Sequence, residues 1–248
     1  MKGNFAHFNN PLTFPKYLKH TYYIPPKSTI LGLLGSLIGL DGYNKKDEKS
    51  SDANDPEFLK KLSKIYLYIK VNNYKKLNKI NVKYNSLNSF SNNTTKDPNV
   101  IMQEEILCNP DYEIGLVLDD SLDLHKNIIN NIKNNVSEYH LYLGKNEFFA
   151  NINFIGLFNF KYLDEINSDF INKNNSIVID SIFPIPENLK VTGQQVGYFA
   201  YKLDESFRYL HKKIIFNHKM SIKLYVDNNL KKNDGKLIIT NNKIYYLF

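Results

Sequence analysis

The stretch TYYIPPKSTILGLLGSLIGLDGY, residues 21–43, constrains this chain most, because it forces a sharp exit from one element and immediate entry into another. Pro25 and Pro26 hold φ at about −65° and cannot donate to a ladder, so a strand over Tyr22–Ile24 must turn there. Ser28 or Thr29 can then cap a helix over Thr29–Leu40. Gly32, Gly35, Ser36 and Gly39 leave one face of it nearly bare, able to lie close to a sheet, and Asp41-Gly42 ends it. Open N–H groups at the helix start beside Lys27 would form a positive mouth of the kind phosphates occupy; an ordinary capped helix satisfies the same residues.

The 248 residues, 42% of them hydrophobic, suffice for one large globular domain or two small ones. With 32 basic against 25 acidic side chains the net charge is +7, which favours polyanionic partners. All the basic residues but Arg208 are lysines, so anion binding would rest on point charges. The single Cys108 excludes an intrachain disulfide and a Cys-rich zinc site, and fits packing in a reducing compartment such as the cytoplasm. The apolar run Ile30–Leu40 is shorter than the ~20 residues that span a bilayer. Pro-Pro-Lys before it and small residues within it argue against a signal peptide, so no membrane partner is expected.

Along the chain, Phe5–Phe8 reads as a short strand, Asn9–His20 as a loop, Glu57–Ser63 as a short helix and Ile65–Val71 as a strand. Ile80–Asn88 and Val100–Leu107 flank the polar tip Ser89–Asn99, and Asn109-Pro110-Asp111 turns into a strand over Tyr112–Leu118. Ser121 caps a helix carrying Leu122, Leu124, Ile128, Ile129, Ile132 and Val136 at helical spacing. From Tyr139 onward the text is β-rich, with strands expected at Asn153–Tyr162 and at several later segments, a tight hairpin at Asn241-Asn242, and a domain boundary marked by Pro184 and Pro186.

A second informative stretch is YHLYLGKNEFFANI, residues 139–152. Gly144 permits a sharp bend, and the residues after it suit a nucleotide: phosphate to Lys145, base edge to Asn146, stacking on Phe148. A hairpin with Phe148 and Phe149 in the core fits as well. GNFAHF, residues 3–8, either presents His7 or Phe8 to a ligand or packs at a sheet edge. No Gly-x4-Gly-Lys-Ser/Thr phosphate loop is present, and the pairs Glu104-Glu105 and Asp119-Asp120 would point opposite ways in strands and read as solvated edges.

Taken in order, GNFAHF, TYYIPPKSTILGLLGSLIGLDGY, EILCNPDYEIGLVL (residues 105–118) and YHLYLGKNEFFANI resemble the successive signatures of the CRISPR-associated Cas family five, over most of the first 155 residues. The resemblance implies an α+β fold: a ferredoxin-like, RRM-related domain of the RAMP superfamily over residues 1–185, with a β-hairpin thumb around 82–110, and a small C-terminal β subdomain over 186–248. It implies a non-catalytic subunit that grips the 5′ handle of CRISPR RNA in a type I interference complex (Cascade), nearest the I-B branch. Its partners would be the backbone subunits along the spacer and the large subunit, with target DNA met only through the complex; neither a cofactor nor a metal is implied. Two departures stand out: only Met1 and Lys2 precede Gly3, where the family has a full strand, and Asn9 stands where it has a basic residue, a place Lys16 and Lys19 would fill. The residues expected to touch RNA are His7, Phe8, Lys16, Lys19, Lys27, Ser28, Gln103, Lys145, Asn146 and Phe148. The bends at Pro25–Thr29 and Gly144–Asn146 are expected to meet as one cradle.

Two other functions compete. One branch of the family cleaves precursor RNA without metal through Tyr, Lys and His; here the only Lys-His dipeptide is Lys19-His20, which borders the same junction as Tyr22 and Lys27. A free-standing RRM-like protein would use aromatic-x-aromatic spacing, which Tyr66 and Tyr68 provide.

Overall fold

Prolines preset the backbone for a helix entry, and the first helix, α1 (Lys27–Ile38), begins directly after Pro26 and closes on Gly39 at φ 78°. Neither Ser28 nor Thr29 caps it: the helix starts two residues earlier than the hydroxyl pattern predicts, and the Pro26 carbonyl accepts from the N–H groups of Thr29 and Ile30 at 3.0 and 3.2 Å. The computed structural model describes residues 1–10, 18–42, 56–86, 100–162, 177–184, 196–203, 209–220 and 236–248. The bare face of α1 meets another helix instead of a sheet. Gly32 and Gly35 face Phe58 on α2 (Glu57–Leu62), and a Cβ on Gly35 would stand 2.6 Å from the Cβ of Phe58.

The third helix, α3 (Asp123–Asn134), ends on Asn135 at φ 53° and carries the expected amphipathic stripe, with Ile128 in the core. Ser121 does not cap it; its hydroxyl bonds the Asp119 carboxylate. The last-turn carbonyls of α1 find donors beside it: the Asn131 side chain and the Glu138 N–H bond the Leu37 carbonyl, and the Tyr139 N–H bonds that of Ser36.

Among the described residues, three sheets accompany the helices. In the first, β1 (Phe5–Ala6), β4 (Val100–Cys108) and β3 (Asn78–Ser86) lie in the order β1-β4-β3, with β3 and β4 in unbroken antiparallel register from Asn78↔Cys108 to Ser86↔Val100. A second pairs β2 (Leu67–Val71) with β5 (Tyr112–Leu116). The third orders β6 (Lys161–Tyr162), β10 (Lys236–Thr240), β11 (Lys243–Leu247), β7 (Ile177–Pro184), β9 (Tyr209–Met220) and β8 (Val196–Leu203) as β6-β10-β11-β7-β9-β8. Asn241 and Asn242 turn the β10–β11 hairpin at φ 49° and 57°, as their tolerance of left-handed backbone predicts. The thumb tip at Ser89–Asn99 lies outside the described residues.

Two expectations shift. The strand foreseen at Asn153–Tyr162 pairs only over Lys161–Tyr162, because only these residues meet β10. The boundary foreseen at 185/186 lies outside the described residues; β7, which ends at Pro184, pairs with both β9 and β11, so strands from either side of that position share one sheet. Leu67 and Phe248 exchange backbone bonds at 3.2 and 3.0 Å, tying the last residue to β2. Among the described residues the larger of two apolar clusters accordingly runs from Ala6 and Phe8 through Leu34, Leu67 and Tyr112 to Phe183 and Phe248, and the smaller holds Ile238, Tyr245 and Leu247. Burying each such Leu or Phe is worth roughly 1.5–3 kcal/mol. Among the described residues no helix is long and apolar enough to cross a membrane, and no cluster of three or more His, Cys, Asp or Glu could hold a metal.

Candidate nucleic-acid interface

Strand periodicity sends Glu104 and Glu105 of β4 to opposite faces, as their adjacency predicts, yet neither is a solvated edge. The Glu104 side chain is 2% exposed; Lys145 and Lys19 both ion-pair with it, Lys19 at 3.3 Å, and the Tyr84 hydroxyl bonds it. Burial alone would raise this carboxyl, but the bonds from Lys145, Tyr84 and Lys19 outweigh it and hold it at about 2. Burial likewise pulls Lys145 down, and Glu104 reverses the sign, leaving the ammonium above its ordinary value.

The other face is organised by Glu105. Its carboxylate accepts from Lys79 at 3.0 Å and from the Thr21 N–H at 3.1 Å, and pairs with His20 Nδ1 at 3.0 Å. These partners depress its pKa against the opposing effect of burial. The Lys79 ammonium also sits 4.3 Å from the centroid of the Tyr23 ring.

Backbone bonds bring the remote segments to this spot. Lys19 N–H donates to the Gln103 carbonyl and Glu105 N–H to the Lys19 carbonyl, both at 2.9 Å, so residues 18–22 cross beside β4. Gly144 sits at φ 88°, where a Cβ would stand 1.9 Å from the His7 carbonyl oxygen; only glycine fits. His7 N–H donates to the Leu143 carbonyl at 3.0 Å and His7 Nδ1 to the Glu105 carbonyl at 2.7 Å. The Leu143–Phe148 turn closes on itself through Leu143 N–H to the Phe148 carbonyl and Phe148 N–H to the Lys145 carbonyl. The Phe148 ring lies 5.9 Å from that of Phe5.

Of the ten residues singled out in the sequence, Lys19 and Lys145 therefore meet at Glu104, with Gln103 joined only through its backbone carbonyl, Asn146 exposed on the adjoining turn and Phe148 half-buried against Phe5. His7 and Phe8 are 5% and 2% exposed, so they form the floor beneath the turn and present no open surface. Lys27 points elsewhere: its ammonium donates to the Phe248 carbonyl at 3.2 Å and lies 5.6 Å from the Tyr66 centroid, and burial lowers its pKa to about 8. Ser28 stands half-buried beside it, and Lys16 lies outside the described residues. The two bends thus do not form the joint cradle expected of them; the partner of the Gly144 bend is the N-terminal strand with residues 18–22. Nor do His20, Tyr22 and Lys27 assemble at one point, since Tyr22 is buried in the core while His20 engages Glu105 and Lys27 the last residue.

Tyr84 and Lys79 were missed in the sequence. Tyr84 opposes Met102 in the register, which places it diagonal to Glu104 on one face; that signal exists only once the β3–β4 pairing is known. Two ammonium groups meet the buried Glu104 carboxylate, and the exposed Glu147 carboxylate lies 3.9 Å from the Lys145 ammonium, so the charges balance, with Lys19 and Lys145 side chains 37% and 24% exposed. Partly exposed rings of Phe5 and Tyr84 and the Asn146 amide flank them. Cation, amide and ring are the groups that grip a single-stranded ribonucleotide.

Comparison with known proteins adds a second line. Residues 1–166 match the family described as CRISPR-associated protein (Cas_Cas5). No curated protein matches the chain. Among solved structures, a chain of a CRISPR RNA-guided surveillance complex is similar at 12% identity, covering 90% of this chain and 91% of that one, with a TM-score of 0.47. A chain from the type III-B Cmr-beta complex bound to cognate target RNA and AMPPnP is similar at 13% identity, covering 98% and 90%, also with a TM-score of 0.47.

Proposed function

The chain belongs to the CRISPR-associated Cas5 family, and on that premise we propose that it is a non-catalytic RNA-binding and assembly subunit of a type I interference complex, of the I-B branch, that grips the 5′ handle of CRISPR RNA. The observation that carries this reading is the convergence of Lys19 and Lys145 on the buried Glu104, beside Asn146, Phe5 and Tyr84. Lys145 and Lys19 take consecutive phosphates, Asn146 a base edge, and the Phe148, Phe5 and Tyr84 rings a stacked base. The long antiparallel β3–β4 ladder supports its reading as the thumb of a ferredoxin-like domain. Backbone and large subunits are the protein partners, target DNA is met only through them, and the cytoplasm is the compartment.

The test is fluorescence anisotropy of the full chain with RNA of its own repeat, in EDTA, across a salt series. Losing two phosphate contacts in Lys19→Ala/Lys145→Ala should weaken binding ~10- to 100-fold and flatten the log–log salt slope by about 1.4, at ~0.7 per contact on single strands. Glu104→Gln, which releases both lysines from their carboxylate, should tighten binding several-fold. Unchanged affinity and slope in the lysine variant would move the site elsewhere, and a single cut at the handle boundary would make the protein an endoribonuclease.

A further inference from the structure

Between Lys145 and Lys161 the chain carries no basic residue, and its apolar side chains stand open to water. Ile155, Leu157 and Phe149 are 68%, 63% and 63% exposed, and Phe154, Phe158 and Phe160 are all exposed as well. Taking about 200 Å² for a whole aromatic side chain, these six leave on the order of 600 Å² of apolar surface in solvent. That reaches the upper end of the largest patch on a typical monomer, roughly 300–600 Å². It also approaches the roughly 800 Å² that each partner contributes to a stable protein interface.

The backbone of the same strip is open too. Among the described residues, 152–160 is held only by the Thr240 hydroxyl, which donates to the Asn159 carbonyl at 2.9 Å. The strip then runs directly into β6, which among the described residues pairs with β10 on one side and with no strand on the other, so its N–H and C=O groups continue an edge strand.

Charge decides what covers it. Lysines border the strip at two places: Lys133 lies 5.5 Å from the Phe154 centroid, midway along it, while Lys161 follows Phe160 and Lys236 lies 5.0 Å from the Tyr162 centroid at one end. Among the described residues, RNA laid along the strip would find Lys133 as a lone cation before that end, too few for the phosphates of an extended strand. A second copy of this chain would set lysine rim against lysine rim. We propose that residues 149–160 are a docking strip for a different protein chain, whose contact face is apolar and edged by carboxylates, engaged partly by adding a strand to the open backbone of 152–160. This stands on exposure and charge alone and does not depend on the RNA-handle reading.

The test uses Ile155→Lys/Leu157→Lys, two changes at solvent-exposed positions, in the full chain. Each purified protein encoded in the same CRISPR locus is titrated against wild type and variant, and RNA binding and melting temperature are measured in parallel. One of those proteins should bind wild type and lose at least ~30-fold in affinity with the variant, while melting and RNA affinity stay unchanged. Its association rate with wild type should fall as salt rises, because the lysine rim steers the encounter. Four results would overturn the assignment: equal binding of every such protein to both forms; reduced RNA affinity with protein binding intact; a wild-type dimer that the variant abolishes; or slow amide exchange across 152–160 in the isolated chain, which would mean the chain covers its own strip.

Discussion

Glu104→Gln should separate the two states of one buried carboxyl by pH. In the folded chain Glu104 titrates at about 2 against an ordinary 4.5, and its side chain is 2% exposed, so little solvent screening intervenes. The folded value is the depressed one, so the ionised form stabilises the fold above pH 4.5, and this contribution fades as pH falls through 4.5 toward 2. At about 1.4 kcal/mol per pKa unit, the wild type gains about 3 kcal/mol from this group at pH 7, and about 1.4 kcal/mol remains at pH 3. The stability gap between wild type and Glu104→Gln should therefore shrink by about 2 kcal/mol from pH 7 to pH 3. Urea unfolding followed by circular dichroism at pH 3, 4, 5 and 7 reads it, and taking the difference between the two proteins cancels the other titrating groups. Lys145→Met should shrink the same pH dependence, because the bond from Lys145 is the largest of those opposing burial. A gap that stays constant within 0.5 kcal/mol (roughly the precision of such comparisons) would show that Glu104 titrates as an ordinary surface carboxyl and that the two lysines are not held by it.

Gly144→Ala combines left-handed backbone with a Cβ placed on the His7 carbonyl oxygen, so it should cost about 3 kcal/mol or more and lower the melting temperature by ~10 °C; a drop under about 2 °C would mean the turn relaxes freely. Lys27 has the opposite linkage to Glu104: its folded pKa of about 8 lies below the ordinary 10.5, so its charge opposes folding at pH 7, and this is relieved as pH rises from 8 to 10.5. The burial penalty is about 3 kcal/mol at pH 7 and the lost bond to the Phe248 carbonyl offsets roughly 2 kcal/mol of it, so Lys27→Met should stabilise the chain by about 1 kcal/mol at pH 7 and lose that advantage by pH 10.5, with no loss of RNA affinity; a variant less stable at pH 7 would show that the bond outweighs burial.

Local chemistry was legible where one residue type dictates a backbone state. The proline pair, the periodic stripe around Ile128 and the Asn241-Asn242 turn each specify their own geometry without help from the rest of the chain. Partners across space were not. The glycine face of α1 advertises close approach without saying that Phe58 fills it, and the run 153–160 has the composition of a strand while its pairing depends on where β10 ends. Within the candidate site, Lys145 stands in a motif, Lys19 enters only as a substitute for the basic residue missing at Asn9, and Gln103 only as a position on the expected thumb. The inward turn of Lys27 was not legible, because it depends on Phe248, 221 residues further on. Glu104 and Glu105 misled for a related reason: two adjacent carboxylates look like a solvated edge until their cations are supplied by residues 19, 20, 79 and 145.

Those cations arrive in matching register. Residues 18–22 run parallel to β4 at the Lys19↔Glu104 bridge, and both segments alternate, so Lys19 meets Glu104 on one face while His20 meets Glu105 on the other. A one-residue slip would turn Lys19 to the wrong face and leave Glu104 with one ammonium fewer, and a buried charge deprived of partners costs several kcal/mol. The paired acids thus lock the N-terminal crossing to the β3–β4 ladder, and Lys145 extends that lock to the turn at Gly144. An RNA phosphate arriving here meets lysines already ordered, which removes much of the side-chain entropy cost of binding. On the proposed reading it would also compete with a carboxylate that stays ionised down to about pH 2, so exchange of Glu104 for phosphate would set the affinity. Of the variants considered, only Glu104→Gln should therefore lower stability and raise RNA affinity together. A purely structural role for the three residues would predict the first effect without the second.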